Sequence, residues 1–258
     1  MPEGPEIRRA ADRVARVLVG KHISEATLSL PAIEQFESSL TGCKVTAVDT
    51  HGKAMLTRFD NGLTLYSHNQ LYGRWYVMKR PRLPKTGRQL RVALHTDSHS
   101  ALLYSASDIE ILNNAQVARH RFLSRLGPDI LDPTLEVEEV AGRLAGRRFS
   151  GRSLGALYLD QAYLAGLGNY LRSEILWVAR LHHARKARSL TESERRTLAR
   201  ETLRISKRSY RTRGITVPPE MAKRLEDLGM SYQRRRFHVF SRAGEPCHRC
   251  ETPVERTT

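Results

Sequence analysis

The sequence predicts an α+β chain of two domains. Three observations carry this reading: short β-rich runs crowd residues 43–105, helical periodicity dominates from about 137, and Leu126-Gly127-Pro128-Asp129-Ile130-Leu131-Asp132-Pro133 between them breaks both patterns. The boundaries that follow are 1–125 for the first domain, 126–135 for the connection, 136–231 for the helical domain and 232–258 for a C-terminal hairpin. A chain of 258 residues is long enough for two separate hydrophobic cores.

Ile7, Ala10, Ala11, Val14 and Leu18 fall on one stripe at helical spacing, and Gly20 stands where a helix would end, so a helix is expected over 5–18. Strand-like runs follow at 45–48, 56–59, 63–66, 75–78, 90–94 and 101–104, with Asn61-Gly62 as a hairpin signal between two of them. Their number and even spacing suggest a sandwich or a barrel-like sheet. Beyond the connection, helices are expected over 137–144, 154–165 and 170–179, the last two joined by a tight turn through Gly166 and Gly168. A long basic helix begins near 191, where Thr191 and Glu194 form a capping box. From Tyr232 the pattern turns β-like, ending in Cys247-His248-Arg249-Cys250.

Forty-three Lys plus Arg against 27 Asp plus Glu leave a formal charge of +16, which favours a polyanionic partner, nucleic acid first. No apolar run is long enough to span a bilayer, and the charged N-terminus lacks the features of a secretion signal. Three cysteines, Cys43, Cys247 and Cys250, make no disulfide scaffold, so a reducing cytoplasm is the expected compartment.

Chemistry concentrates at the N-terminus, Met1-Pro2-Glu3-Gly4-Pro5-Glu6. Removal of Met1 would expose the secondary amine of Pro2, and an α-amino group titrating near ~7.7–8.0 is partly unprotonated at neutral pH. Its attack on a sugar C1′ would give an iminium, and Glu3 next to it would carry protons. The same residues also make an ordinary helix start. At the second helix of the Gly166-x-Gly168 turn, backbone amides and the Asn169 side chain offer a phosphate site.

Five separated motifs, in order, resemble the formamidopyrimidine-DNA glycosylase and endonuclease VIII family. They are Pro2-Glu3, His51-Gly52-Lys53, Leu126-Gly127-Pro128-Asp129, the stretch 160–177 and Cys247-x-x-Cys250. The stretches 4–12 and 66–73 are most similar to the endonuclease VIII branch rather than the 8-oxoguanine branch. The resemblance implies an N-terminal β-sandwich with flanking helices and a C-terminal helix-two-turn-helix domain carrying a zinc-finger hairpin. It also implies a DNA glycosylase and abasic-site lyase of base excision repair that forms a Schiff base on Pro2 and cleaves by β- and possibly δ-elimination. Its expected partner is duplex DNA containing oxidised pyrimidines or abasic sites, bound by a monomer. Rival readings are a catalytically silent damaged-DNA binder and the same chemistry on oxidised purines.

The residue roles implied by the resemblance are as follows. Pro2 is the nucleophile, Glu3 the proton carrier and Lys53 a proton carrier and phosphate contact. Glu6 and Glu174 line or brace the pocket. Gln70, Leu71 and Tyr72 form a wedge that fills the gap left by an extruded nucleotide, while Arg125 and Asn169 contact the DNA backbone. The basic stretch 185–213 and Arg234-Arg235-Arg236 are expected on the phosphate-facing side. Zinc is the expected cofactor, yet Cys247 and Cys250 supply only half of a four-ligand site, so weak or absent zinc binding is expected of the chain as written; the resemblance also implies a hairpin arginine assisting the second elimination that the chain as written lacks, so weakened δ-elimination is expected.

Overall fold

The computed structural model describes residues 2–256. Met1, whose removal the N-terminal reading requires, lies outside them, as do Thr257 and Thr258. The chain divides into two units, one holding Glu6–Leu126 with Pro2 and the other joining Glu3–Pro5 to the residues from Gly127 onward.

In the first unit, α1 (Gly4–Leu18) is followed by β1 (Glu25–Leu28), α2 (Glu37–Leu40), β2 (Val45–His51), β3 (Ala54–Phe59), β4 (Leu63–His68) and β5 (Arg74–Lys79). Then come β6 (Leu90–His95), β7 (His99–Tyr104), β8 (Asp108–Asn113) and α3 (Asn114–Arg119). The strands form two antiparallel sheets, ordered β1-β6-β7-β5 and β2-β3-β4-β8. One core lies between them. Val92, Leu94 and Leu103 from the first sheet share it with Met55, Phe59, Leu65 and Ile111 from the second, and α1 adds the stripe Ile7, Val14 and Leu18. Each such side chain fully withdrawn from water contributes about 1.5–3 kcal/mol. The alternating residues Ala93, Leu102 and Tyr104 point to the other face of the first sheet, as strand pleating demands. This is the sandwich alternative, and all six expected strand runs are present. Asn61-Gly62 turns β3 into β4, with Gly62 at φ +82° and the Asn61 side chain accepting from Leu63 N at 3.1 Å.

The second unit contains α4 (Val137–Ala145), α5 (Leu154–Leu157), α6 (Asn169–Val178), α7 (Glu192–Arg211), α8 (Pro219–Asp227) and α9 (Tyr232–Arg235). Its core includes Val140, Leu144, Leu157, Leu171, Ile175, Leu198 and Ile205. The capping box forms as expected, Thr191 accepting from Glu194 N while the Glu194 carboxylate accepts from Thr191 N. No helix among the described residues is long and apolar enough to cross a membrane.

Two expectations are corrected. The helix expected over 154–165 stops at Leu157, because Asp160 diverts the chain: its carboxylate accepts from Ala162 N at 2.9 Å and its carbonyl from Tyr163 N. A short acidic side chain that bonds the backbone two residues on competes with the helical ladder. The β-like run expected from Tyr232 is instead the short helix α9, and the amides of His238, Val239 and Phe240 donate to the Glu174 carboxylate rather than to a neighbouring strand.

Candidate active site

Glu3 is buried at 3% exposure although it stands third in the chain. Its carboxylate accepts from Tyr170 N at 2.8 Å and Leu171 N at 3.3 Å, both in the first turn of α6, where unpaired amides and the helix dipole attract an anion. These are amides that the sequence offered to a phosphate. Gly4 N donates to Gly166 O at 2.8 Å, fixing the residue that follows. The two turn glycines serve this seat. Gly166 has φ +101°, a conformation that side chains disfavour, and a Cβ on Gly168 would lie 2.4 Å from Glu3 Cδ and Oε1. Gly168→Ala is therefore expected to push the carboxyl out of its seat and slow base release roughly ten- to a hundredfold. Single-turnover rates on a damaged duplex check it; a rate within twofold of the parent would mean that the seat is not needed.

Glu174, on the buried face of α6, is fully enclosed. It accepts from His238 N at 2.7 Å, Val239 N at 2.8 Å, Phe240 N at 2.9 Å and the Thr216 hydroxyl. Burial pushes its pKa up, and these four donors oppose that by binding the carboxylate. The geometry is that of a brace, tying α6 to residues 216 and 238–240.

In the first unit, Lys53 occupies the turn between β2 and β3 and is half-buried. His68, at the end of β4, has its pKa lowered by burial and by the Lys53 charge, against Asp108. His68 and Asp108 face each other across the β4–β8 register, and His68 pairs with Ala54, the residue after Lys53. This grouping escaped the sequence reading because it depends on strand register. Gln70, Leu71 and Tyr72 form the β4–β5 connection and are exposed, Leu71 by 57% and Tyr72 by 69%. The loop is held from below: Gln70 has φ +48° and its side-chain oxygen accepts from Ser107 Oγ at 3.0 Å, Gly73 N donates to Asn69 O at 2.7 Å, and Arg88 donates to Tyr72 O. Glu6 is half-buried in the first turn of α1, and Arg125, which ends the short turn Leu123–Arg125, is exposed, as is Asn169.

Cys247 is buried and Cys250 exposed, within a hairpin that Gly244 N to Val254 O, Val254 N to Glu245 O and Cys247 N to Thr252 O hold together. Bonds from Thr252 lower the Cys250 pKa. Among the described residues no group of three His, Cys, Asp or Glu could hold a metal ion. Two thiols do not make the four-ligand set of a structural zinc, so the donors present do not fit that metal by themselves.

The formamidopyrimidine-DNA glycosylase N-terminal domain family matches residues 1–107, and the formamidopyrimidine-DNA glycosylase H2TH domain family matches 126–219. Endonuclease 8 of Klebsiella pneumoniae subsp. pneumoniae is 49% identical over 258 residues, which cover 100% of this chain and 95% of that protein. Endonuclease 8 of an Escherichia coli strain is 48% identical over the same span. Among solved structures, the Lactococcus lactis formamidopyrimidine-DNA glycosylase in complex with DNA containing N7-benzyl-Fapy-dG superposes with TM-score 0.80 at 20% identity, covering 100% of this chain and 94% of that one, a likeness of fold. With both domains matched and relatives near half identity along its whole length, this chain belongs to the formamidopyrimidine-DNA glycosylase and endonuclease VIII family of DNA glycosylases and abasic-site lyases.

Proposed function

We propose that this chain excises oxidised pyrimidines from duplex DNA and cleaves the resulting abasic site, with Pro2 as nucleophile, Glu3 as proton carrier and Lys53 assisting strand cleavage. The observation that carries the reading is the seat of Glu3: a buried carboxylate, fixed by two helix-end amides, covalently next to the only N-terminal amine that loss of Met1 would create. The carboxylate takes a proton from the Pro2 ammonium, and the freed amine attacks C1′. The carboxyl's proton goes to the departing base as the glycosidic bond breaks; the attached amine's N–H proton then passes through the freed carboxylate to O4′ as the C1′–O4′ bond opens and the nitrogen lone pair closes the C=N bond, leaving an iminium and a 4′-hydroxyl. That cation accepts the electron pair released when the C2′ proton is removed and the 3′ phosphate leaves, which is β-elimination. A further δ-elimination would release the 5′ phosphate.

Substrate choice follows the endonuclease VIII relatives, and the exposed Leu71 and Tyr72 suit it, since an aliphatic group and a ring can replace the stacking lost when a nucleotide is extruded. The protein would work as a cytoplasmic monomer. The net charge of +16 supplies the long-range attraction to the duplex. Arg125 and Asn169 would hold phosphates, which position the duplex without reading bases. Arg125→Ala and Asn169→Ala are thus expected to weaken binding about equally for every lesion, and Arg125→Ala to reduce the salt slope by roughly one unit. Titrations on two different lesions across a salt series test this; a lesion-selective loss would remove either residue from that role.

A further inference from the structure

Between α5 and α6 the chain runs from Tyr158 to Gly168 without regular structure, yet this segment forms the floor of the Glu3 seat. One side chain supplies bonds that regular structure would otherwise provide. The Gln161 amide nitrogen donates to Leu167 O at 2.9 Å and Leu159 O at 3.1 Å, and its oxygen accepts from Gly166 N at 3.1 Å. The orientation is unambiguous, because a flipped amide would aim its NH₂ at the Gly166 N–H and its oxygen at two carbonyls. Gly166 and Leu167, the residues Gln161 grips, immediately precede Gly168, whose absent side chain makes room for the Glu3 carboxyl. Gly166 O in turn receives Gly4 N.

We propose that Gln161 is a positioning residue for base release: its amide clamps 166–168 and thereby fixes where the Glu3 carboxylate sits. It acts through the loop, not on DNA, and the inference rests on the reading of Glu3 as proton carrier. Small displacements of a proton carrier are costly, since proton transfer needs heavy atoms within hydrogen-bond reach. Cleavage at a preformed abasic site has no glycosidic bond left to break and depends less on that carboxyl.

Gln161→Glu is the decisive variant because it is isosteric. Its carboxyl keeps an acceptor for Gly166 N, but when ionised it has no proton for Leu167 O or Leu159 O. Base release is expected to fall roughly tenfold at pH 8 while abasic-site cleavage changes less than about threefold. When protonated, the new carboxyl can again donate to a carbonyl, so the ratio of base release to abasic-site cleavage, relative to the parent enzyme at each pH, should recover as pH falls toward 5. Retained abasic-site cleavage reports that the variant is folded, and Gln161→Asn, with an amide set one methylene back, should lower the same ratio without the pH recovery. Equal loss of both activities, an unchanged ratio, or a ratio that does not recover at low pH would overturn the role given to Gln161. Glu3→Gln measured alongside separates the two claims: if it retains base release, the reading of Glu3 fails; if it loses base release while Gln161→Glu keeps the parent's ratio, only the inference about Gln161 fails.

Discussion

Glu3→Gln should lose base release by about 10²–10⁴-fold, the range that a positioned proton carrier contributes, while leaving measurable cleavage of a preformed abasic site. The amide is nearly the same size, and its oxygen can still accept from Tyr170 N or Leu171 N, so the seat at α6 survives in part. What disappears is the capacity to take a proton from the Pro2 ammonium and hand it to the base. At an abasic site the base has already gone, and an amine that reaches C1′ in its neutral form can still produce the iminium. Lys53→Ala should show the opposite bias, with strand cleavage depressed more than base release. Comparable loss of base release and abasic-site cleavage in Glu3→Gln, with DNA affinity unchanged, would contradict this division of labour.

Glu174→Ala should destabilise the second unit by about 3–5 kcal/mol, because four neutral donors lose their acceptor at about 1–3 kcal/mol for each one left buried and unsatisfied. Three backbone amides and the Thr216 hydroxyl converge on this carboxylate, and none of the three amides at 238–240 gains a strand partner if it goes. Glu174 is fully buried, so the cavity left by its side chain adds to the loss. Glu174→Gln should cost less, because one oxygen remains to accept. Urea denaturation of both variants measures this. A loss under about 1 kcal/mol for Glu174→Ala would show that the brace is dispensable.

Local signals carried much of the fold. The α1 stripe, the alternating strands, Asn61-Gly62 and the Thr191–Glu194 box each lie within a few residues, and each formed as expected. The failures share one theme, side chains taking over backbone partners, locally at 160–161 and from a distance at Glu174. Residues 158–165 read as helical by their apolar spacing, but Asp160 and Gln161 capture the backbone there. Residues 237–240 read as strand by composition, but Glu174, more than sixty positions earlier, holds their amides. In β8, residues Asp108–Asn113, Ile109 and Ile111 alternate with acids over too short a run to mark a strand by themselves, and pairing with β4 decides it. At the site, residue types were legible and their partners were not. Pro2-Glu3 was conspicuous as a pair, but nothing local said that Gly168 lacks a side chain to admit Glu3 or that the α6 amides receive it.

Borohydride reduction during turnover on a duplex carrying an oxidised pyrimidine, followed by peptide mapping, tests the nucleophile most directly. The expected result is a single covalent protein–DNA adduct on Pro2, absent from protein that retains Met1, because an amide nitrogen has no lone pair to offer C1′. An adduct on Lys53, or base release that continues with no adduct at all, would contradict the assignment of the N-terminal amine.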